Sequence, residues 1–416
     1  MTRPWMLPSR WAEPLAFTLL GLVLFIRYPI HFIVYPPFLM DFEVYHAAAV
    51  QLVQGHGAFL YAPTTNEMMV FKYAPIWALA WAPLGWLPKH ASGIVWTAVG
   101  VLALLLTLCM CARLCRHHGI RYHPLTAALV IGVLSRPLAE EMGNGQANLL
   151  WGGFTVGAIY AATCRRPWLS AASMAAAILL KLPTLVFLPY LVLRRQWAPF
   201  GRLLALLLGE AVVGSVLVAP AQPFQLLGAW TRALLNSGSA YALMIGNQSV
   251  LAFLGRFLTA DGYALNIANL PRDVLVWITA GLGAVSLWLL GRPVSDPRQP
   301  PIRFLYDSAM LMVVMVVFSP SCWTATYMAL IFPMFLAAAS LTHRLLEGRR
   351  DAGSLLLAGL VLFANLFTHQ KVWRFLSIPP RHGEGYLFLV FMPLPWLSLA
   401  LMVLLWRQRQ LMSRPD

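Results

Sequence analysis

The stretch "LSAASMAAAILLKLPTLVFLPYLVL", residues 169–193, is strongly apolar and carries one charged residue, Lys181. Basic runs flank it on both sides, and each half beside "KLP" has about 12 residues, or roughly 18 Å of helix. Since the hydrocarbon core of a bilayer is about 30 Å thick, neither half can cross it alone. The stretch therefore predicts a broken hairpin that enters and leaves on one side, bent where Pro183 removes a backbone donor.

The composition of the whole chain is typical of an integral membrane protein. Of its 416 residues, 59% are hydrophobic and only 11% are charged, whereas a soluble domain is about half apolar and a quarter charged. The net charge of +15 lies in short runs between apolar segments, which is how membrane topology is encoded. We therefore predict membrane lipids as partners, including an anionic lipid, and no nucleic acid.

The positions of the basic runs predict the topology. Placing them in the cytoplasm, together with both termini, yields about ten crossings in one domain spanning residues 1–416. The predicted crossings are residues 14–34, 92–112, 124–138, 147–163, 201–220, 273–290, 303–318, 325–341, 353–368 and 386–406. The short, proline-broken segment 74–88 is predicted to be re-entrant or interfacial. The chain is thus an expected all-α, multi-pass protein of the cell membrane with about 10–13 transmembrane or re-entrant helices.

This topology gathers the polar segments on the extracytoplasmic side, where we expect a cavity. The first outer loop spans residues 35–73, and a second long outer segment spans residues 221–272. In the first loop, Asp41 and Glu43 open "DFEVYHAAAV". One of them is a candidate general base, but taken alone the pair is better explained as a helix cap and a first-turn acid of the following helix, a role that is compatible with catalysis.

Lys181 is the sharpest signal for function. An ammonium group near the middle of a membrane costs about 3 kcal/mol to insert, and such residues usually serve a function. Snorkelling of the long side chain to the interface is the alternative. A broken helix, however, is tolerated at depth only where it lines a cavity or packs within protein, so Lys181 needs a partner.

Other polar residues are predicted to contact a sugar or a lipid phosphate, each with a plainer alternative. Amides at an outer helix end and an aromatic platform suit sugar hydroxyls, whereas helix capping, snorkelling and interfacial anchoring are the structural alternatives. The predicted substrate-binding residues are Glu43, Tyr45, Lys72, Tyr73, Asn144, Gln146, Asn148, Lys181, Asn247, Gln248, Arg256, Ser319, Trp323, Thr324 and Tyr327.

Six segments, taken in order, resemble the integral-membrane glycosyltransferases of family 87 in the GT-C superfamily. That family includes polyprenol-phosphomannose-dependent mannosyltransferases and related arabinofuranosyltransferases. The segments are "DFEVYHAAAVQLVQGHGAFLYAP" (41–63), "FKYAPIWALAWAPLGWLP" (71–88), "GNGQANLLWGGF" (143–154), "AAAILLKLPTLVFLPYLVLRRQW" (175–197), "GNQSVLAFLGRF" (246–257) and "FSPSCWTATYMALIFP" (318–333). No single segment is specific, but their common order across residues 41 to about 340 is.

The resemblance implies a GT-C fold with a catalytic cavity open to the outer leaflet. It also implies a polyprenyl-phosphate-linked sugar as donor, a glycolipid or glycan as acceptor, and inversion at the anomeric carbon. Asp41 corresponds to the family's catalytic base, and Lys181 with Pro183 to its Lys-Pro break. This chain departs from the family in one segment. The family's serine-proline-tryptophan segment often continues into histidine, whereas this chain has Thr324 and Thr326 there.

The chemistry of such a donor agrees with the residues present. A phosphate-linked sugar is already activated, so the protein needs one carboxylate for the acceptor's proton and cations for the departing phosphate. Asp41 is the candidate for the first role, and Lys72, Lys181 and Arg256 are candidates for the second. The sequence has no Walker-type phosphate loop, and we expect no cofactor and no obligatory metal, although the Asp41–Glu43 spacing is compatible with a divalent ion.

Two other functions remain open at this point. A transporter or flippase would use Lys181 and the broken hairpin as a binding site at the midplane. A non-catalytic assembly partner derived from such enzymes would lack the histidine. The concentration of carboxylates and amides on one side favours the transferase.

Overall fold

The structure, a computed structural model, consists of helices joined by short loops. It describes residues 9–36, 39–62, 70–244, 246–260, 266–292, 301–346 and 393–412, with a few single positions between 348 and 359, and it contains no strand within these residues. The helices are α1 (Ser9–Phe25), α2 (His31–Val34), α3 (Met40–Val53), α4 (Pro75–Trp81), α5 (Lys89–His117), α6 (Thr126–Val133), α7 (Ser135–Asn144), α8 (Asn148–Thr163), α9 (Pro167–Leu180), α10 (Phe187–Leu193), α11 (Trp197–Val218), α12 (Pro223–Tyr241), α13 (Val250–Leu258), α14 (Arg272–Gly291), α15 (Pro301–Val317), α16 (Ile331–Leu346) and α17 (Pro393–Met412).

Five helical stretches within the described residues are long and apolar enough to cross a membrane. They are Glu13–Val34, Lys89–His117, Trp197–Val218, Arg272–Gly291 and Thr324–Arg344. Each coincides with a predicted crossing. The first four expose large apolar side chains such as Leu22 and Trp277, whereas the fifth is mostly buried and forms the centre of the bundle. The all-α, multi-pass membrane fold is therefore confirmed.

The remaining predicted crossings form shorter helices. The segment 124–138 is split at Leu134 into α6 and α7, while 147–163 and 303–318 correspond to α8 and α15. The last predicted crossing, 386–406, overlaps α17. The crossing 353–368 lies almost entirely outside the described residues.

The hairpin of residues 169–193 is broken where the sequence predicts. Helix α9 ends at Leu180, Lys181 is extended (φ −147°, ψ 117°), and a 3-10 turn (Leu182–Val186) leads into α10. Met174 of α9 and Tyr190 of α10 line the same pocket, so the two arms face each other across it. At the tip, the peptide N–H of Ala74 donates to the carbonyl of Leu179 at 3.1 Å, so the segment before α4 holds the break in place.

The basic runs meet at one end of the bundle. There the carboxylate of Asp307, which is fully buried, pairs with Arg194 and Arg303, each at 3.6 Å, and with Arg409. A buried carboxylate is tolerated only with such compensation. The segment 74–88 lies away from this end. It forms α4 and a 3-10 turn (Ala82–Trp86) packed on α3 and α11, which is too short to span a bilayer.

Candidate active site

A polar cavity of about 300 Å³ lies between the start of α3, the hairpin tip, α12 and the loop after α15. Its walls bring together residues from six separate parts of the sequence. Eight of the predicted site residues line it: Asp41, Tyr45, Lys72, Tyr73, Gln146, Lys181, Ser319 and Trp323. Trp151, Trp230, Ser321 and Thr326 also line it, so the cavity combines one carboxylate, two ammonium groups and several aromatic rings.

Asp41 lies in the first turn of α3, on the face toward the cavity. The residue at the N-cap position is Leu39, and no side chain caps this helix, so the carboxylate of Asp41 is directed to the cavity and not to the helix end. Burial raises the pKa of Asp41 above its usual range. Lys181, a hydrogen bond from Gln146 and Lys72 act in the opposite direction and favour the charged form. The carboxylate is therefore partly desolvated, which raises its basicity, and it lies beside two cations, which favour its ionised form.

Glu43 does not line the cavity. Residues two apart on a helix face opposite sides, and Glu43 pairs with Lys89 next to a separate pocket that Phe32 and Leu39 also line. Asp41 and Glu43 therefore cannot chelate one ion. Within the described part of the chain, no three His, Cys, Asp or Glu side chains converge on a common point.

Lys181 is held by an amide at the start of α8. Its Nζ donates to Asn148 Oδ1 at 2.5 Å and lies 5.6 Å from the centre of the Trp151 ring. Asn148 is fully buried, and its Nδ2 donates to Gln146 Oε1 at 2.6 Å. Since Gln146 also donates to Asp41, the two amides form a continuous relay between the carboxylate and the ammonium group.

Glu141, which is not among the residues predicted from the sequence, anchors this relay. Its Oε2 accepts from Asn148 Nδ2 at 2.7 Å, and its Oε1 accepts from the peptide N–H of Leu149 at 2.9 Å. The side chain is buried, whereas its neighbour Glu140 pairs with Arg136 at 2.6 Å. Because a carboxylate only accepts, Glu141 fixes the Asn148 amide with its oxygen toward Lys181. The adjacent carboxylates of Glu140 and Glu141, shortly before the turn that carries Gln146 and Asn148, were the sequence signal that could have identified Glu141.

Lys72 approaches the cavity from the segment before α4. Trp230 of α12 donates its Nε1–H to the carbonyl of Lys72 at 3.0 Å and so holds this backbone. Burial lowers the pKa of Lys72 to about 8, although Asp41 acts in the opposite direction. Tyr45 and Tyr73 share a hydrogen bond between their hydroxyl groups at 2.7 Å. Their rings form an aromatic wall of the cavity that also contains Asp41 and Lys72.

Asn247, Gln248 and Arg256, predicted to contact a sugar or a headgroup, lie behind the cavity wall. Asn247 is fully buried, and its Nδ2 donates to the carbonyl of Pro320 at 2.6 Å. Arg256 donates to the carbonyl of Asn247 at 3.0 Å, and the peptide N–H of Gln248 donates to the carbonyl of Cys322. These contacts fasten the loop before α13 to the loop after α15, because buried backbone carbonyls there need donors.

The segment 318–333 contributes only part of its predicted residues. Ser319 and Trp323 line the cavity, whereas Thr324 and Tyr327 are buried and do not. Tyr327 instead donates to the carbonyl of Gln248 at 3.0 Å. Thr326 faces the cavity, so a hydroxyl group lies in the region where the family often has histidine. Asn144 ends α7 and is also absent from the lining.

Comparison with known proteins found a family model and similar proteins. The model of glycosyltransferase family 87 matches residues 71–320. A polyprenol-phosphate-mannose-dependent alpha-(1-2)-phosphatidylinositol mannoside mannosyltransferase of Mycolicibacterium smegmatis is 26% identical over 379 residues, which cover 84% of this chain and 78% of the relative. The protein of the same description from Mycobacterium tuberculosis is 23% identical over 398 residues, covering 88% and 84% respectively. The chain therefore belongs to glycosyltransferase family 87.

Proposed function

We propose that this membrane glycosyltransferase moves mannose from a polyprenyl-phosphate donor to a glycolipid or glycan acceptor. The reaction takes place at the extracytoplasmic face and inverts the anomeric carbon. The family membership and the two mannosyltransferase relatives support the sugar and the donor. The observation that carries the proposal is the single cavity in which Asp41 lies with Lys72 and Lys181.

The reaction follows from these three charges. The acceptor hydroxyl attacks C1 of the sugar while Asp41 takes its proton, so an oxygen–C1 bond forms. The bond between C1 and the phosphate oxygen breaks, and its electron pair leaves with the polyprenyl phosphate. Lys72 and Lys181 stabilise the charge that develops on the phosphate. A single displacement of this kind inverts the configuration at C1.

The relay from Glu141 to Asp41 supports this assignment. Asn148 and Gln146 place a carbonyl oxygen at Lys181 and an amide N–H at Asp41, so both catalytic charges are oriented before substrate binds. Trp323 and the tyrosines of the wall offer flat apolar faces suited to a sugar ring. The phosphate is the leaving group and the acceptor hydroxyl is the nucleophile, so no nucleotide is required.

A transporter is the rival function, and the ion cluster at the basic end argues against it. Alternating access needs a path from the cavity to the other side of the membrane. The buried Asp307, bound by three arginines, joins α10, α15 and α17 at that end. A cluster that joins three helices in this way favours a fixed bundle with a one-sided site over one that opens at this end.

The test uses two carboxylates of the same helix. Membranes containing the parent, Asp41→Asn or Glu43→Gln protein are supplied with polyprenyl-phosphate [14C]mannose, and the radioactive glycolipid product is measured. Loss of a general base lowers turnover by about 10²- to 10⁴-fold, so we expect that loss for Asp41→Asn. Glu43→Gln is the matched control, and we expect it to retain activity because Glu43 faces away.

Parental transfer by a folded Asp41→Asn protein would remove Asp41 from the mechanism. Uptake of a solute into proteoliposomes without a covalent product would favour the transporter instead.

A further inference from the structure

A second pocket, of about 220 Å³, lies between the two arms of the hairpin at the end away from Lys181. Its throat is lined by apolar side chains of four helices, among them Ile159, Met174 and Phe187. Its mouth carries Arg165 and Arg202. Apolar walls below a cationic mouth suit an amphiphile with an anionic head and a hydrocarbon tail.

Among the described residues that line this pocket, the charged side chains are Arg165 and Arg202, and both are positive. Residues 142–209 contain no Asp or Glu, and Arg165, Arg166 and Arg195 are exposed. The nearby carboxylate of Asp307 is buried and pairs with Arg194, so these two charges compensate each other and not the charge at the mouth. The arginines at the mouth therefore present an electrostatic field that attracts an anion.

The two turns beside the mouth have an unusual backbone. Arg165 and Arg195 have φ angles of 56° and 55°, in the left-handed region that usually holds glycine at a helix end. Each turn closes in the same way, with the peptide N–H of Arg166 bonded to Ala161 and that of Gln196 bonded to Leu191. Arginine is strained at this position, and the side chain of Arg165 lines the pocket, which points to a use for that side chain beyond closing the turn.

Two exposed tryptophans indicate the depth in the membrane at which the mouth of the pocket lies. Trp168 and Trp197 follow the two turns, and each is 60% exposed. Exposed tryptophans collect at the depth of lipid headgroups. The guanidinium of Arg202 lies 5.9 Å from the Trp168 ring, so the cationic mouth and the aromatic belt share this depth.

We propose that this pocket binds one anionic diacyl phospholipid, with its phosphate on Arg165 and Arg202 and one acyl chain between the hairpin arms. The polyprenyl-phosphate donor is a different ligand, because the pocket lies at the opposite end of the hairpin from the catalytic cavity. The bound chain separates α9 from α10 and so supports the tip that presents Lys181. Binding does not depend on the proposed function, whereas this effect on Lys181 rests on it.

The first experiment neutralises the mouth. Parent and Arg165→Gln/Arg202→Gln proteins are reconstituted in nanodiscs of phosphatidylglycerol and phosphatidylcholine, and retained lipids are counted by native mass spectrometry. We expect the parent to retain phosphatidylglycerol selectively and the variant to bind it about thirty-fold more weakly. Arg113→Gln/Arg292→Gln removes the same charge from exposed positions outside the pocket and should bind as the parent does. Undiminished selectivity in the first variant, or none in the parent, would overturn the proposal.

The second experiment fills the throat and keeps the arginines. Ala171 lines the pocket and is buried, so Ala171→Leu should displace the acyl chain and abolish selective retention. Ala162→Leu, at a partly exposed lining position, serves if the first variant does not fold. Parental retention in a folded variant would exclude the pocket as the site. Displacement of phosphatidylglycerol by polyprenyl phosphate at equal concentration would overturn the choice of ligand.

An activity measurement separates this proposal from the proposed function. We expect faster mannosyl transfer in phosphatidylglycerol discs than in phosphatidylcholine discs, and no such difference in Arg165→Gln/Arg202→Gln. Equal parental rates in both discs would overturn the link between the lipid and Lys181. A parent that transfers no mannose at all would refute the proposed function, while the retention data would still decide whether the lipid site exists.

Discussion

Replacing Lys72 by arginine should remove the alkaline limit of the reaction. Lys72 lines the proposed catalytic cavity, and burial lowers its pKa to about 8. Only the ammonium form can stabilise the departing phosphate. Arginine remains charged throughout the accessible pH range, so the variant keeps a cation at this position where lysine loses it.

The size of the effect follows from this pKa. With a value of about 8, roughly nine-tenths of Lys72 is charged at pH 7 and roughly one-tenth at pH 9. The parental kcat/KM should therefore fall about tenfold between these two pH values. The Lys72→Arg profile should stay level over the same interval, whatever its absolute rate.

The assay is mannosyl transfer in detergent-solubilised membranes, with kcat/KM for the donor measured at half-unit steps of pH. This parameter reports the ionisation of the free enzyme, to which the pKa of Lys72 refers. The acidic limb is an internal control, because Asp41 must lose its proton to act as a base. Its raised pKa places that limb above the pH expected for an ordinary aspartate, in both proteins.

Parallel alkaline limbs in the parent and Lys72→Arg would refute this reasoning, since another group would then set the limit. Lys72→Gln completes the series. We expect it to be slow at every pH and to lack the alkaline limb, because it never carries the charge.

Two further predictions concern the relay and the orientation in the membrane. Glu141→Gln replaces one of the two acceptor oxygens that bond Asn148 Nδ2 and the Leu149 N–H with a donor, so the amide relay loses part of its anchor and the donor KM should rise roughly tenfold. A cysteine at the exposed Phe59, in the first outer loop, should react with an impermeant maleimide in intact cells. The exposed native Cys164, at the basic end, should react only after the cells are permeabilised.

Each of these predictions has its own control and its own contradicting result. Glu140→Gln changes the neighbouring carboxylate, which pairs with Arg136 outside the relay, and should leave the donor KM unchanged. Equal KM values for Glu141→Gln and the parent would show that Asn148 keeps its orientation without the carboxylate. Labelling of Cys164, and not of the cysteine at position 59, in intact cells would reverse the proposed orientation.

The long apolar helices could be predicted because their signal is local. A continuous apolar run of membrane length reports its own structure, and all five long stretches coincide with predicted crossings. The break at Lys181 was equally local, since each arm of the hairpin is too short to span a bilayer. The position of Lys181 in an apolar stretch also predicted that its ammonium group needs a partner. The sequence did not indicate which of several amide side chains would be that partner.

Residue type alone could not separate cavity residues from those behind the wall. Asn247 and Arg256 have the chemistry of ligand-binding residues, yet they donate hydrogen bonds to backbone carbonyls behind the cavity wall. Glu43 shares a helix turn with Asp41 and faces away, which the helical period would have indicated. Glu141 was missed because its role depends on Asn148 and Leu149, which it meets only after the chain turns at Gly145.

The sequence by itself thus determined the solvent in which this protein folds, the positions of its five long apolar helices and the place where the hairpin breaks. These properties depend on the free energy of moving consecutive residues from water into lipid. That free energy can be summed along the sequence without knowledge of the tertiary structure. Tertiary structure alone decided which charges meet. Asp41, Lys72 and Lys181 lie far apart in sequence, and electrostatic interaction depends on distance and burial rather than on order along the chain.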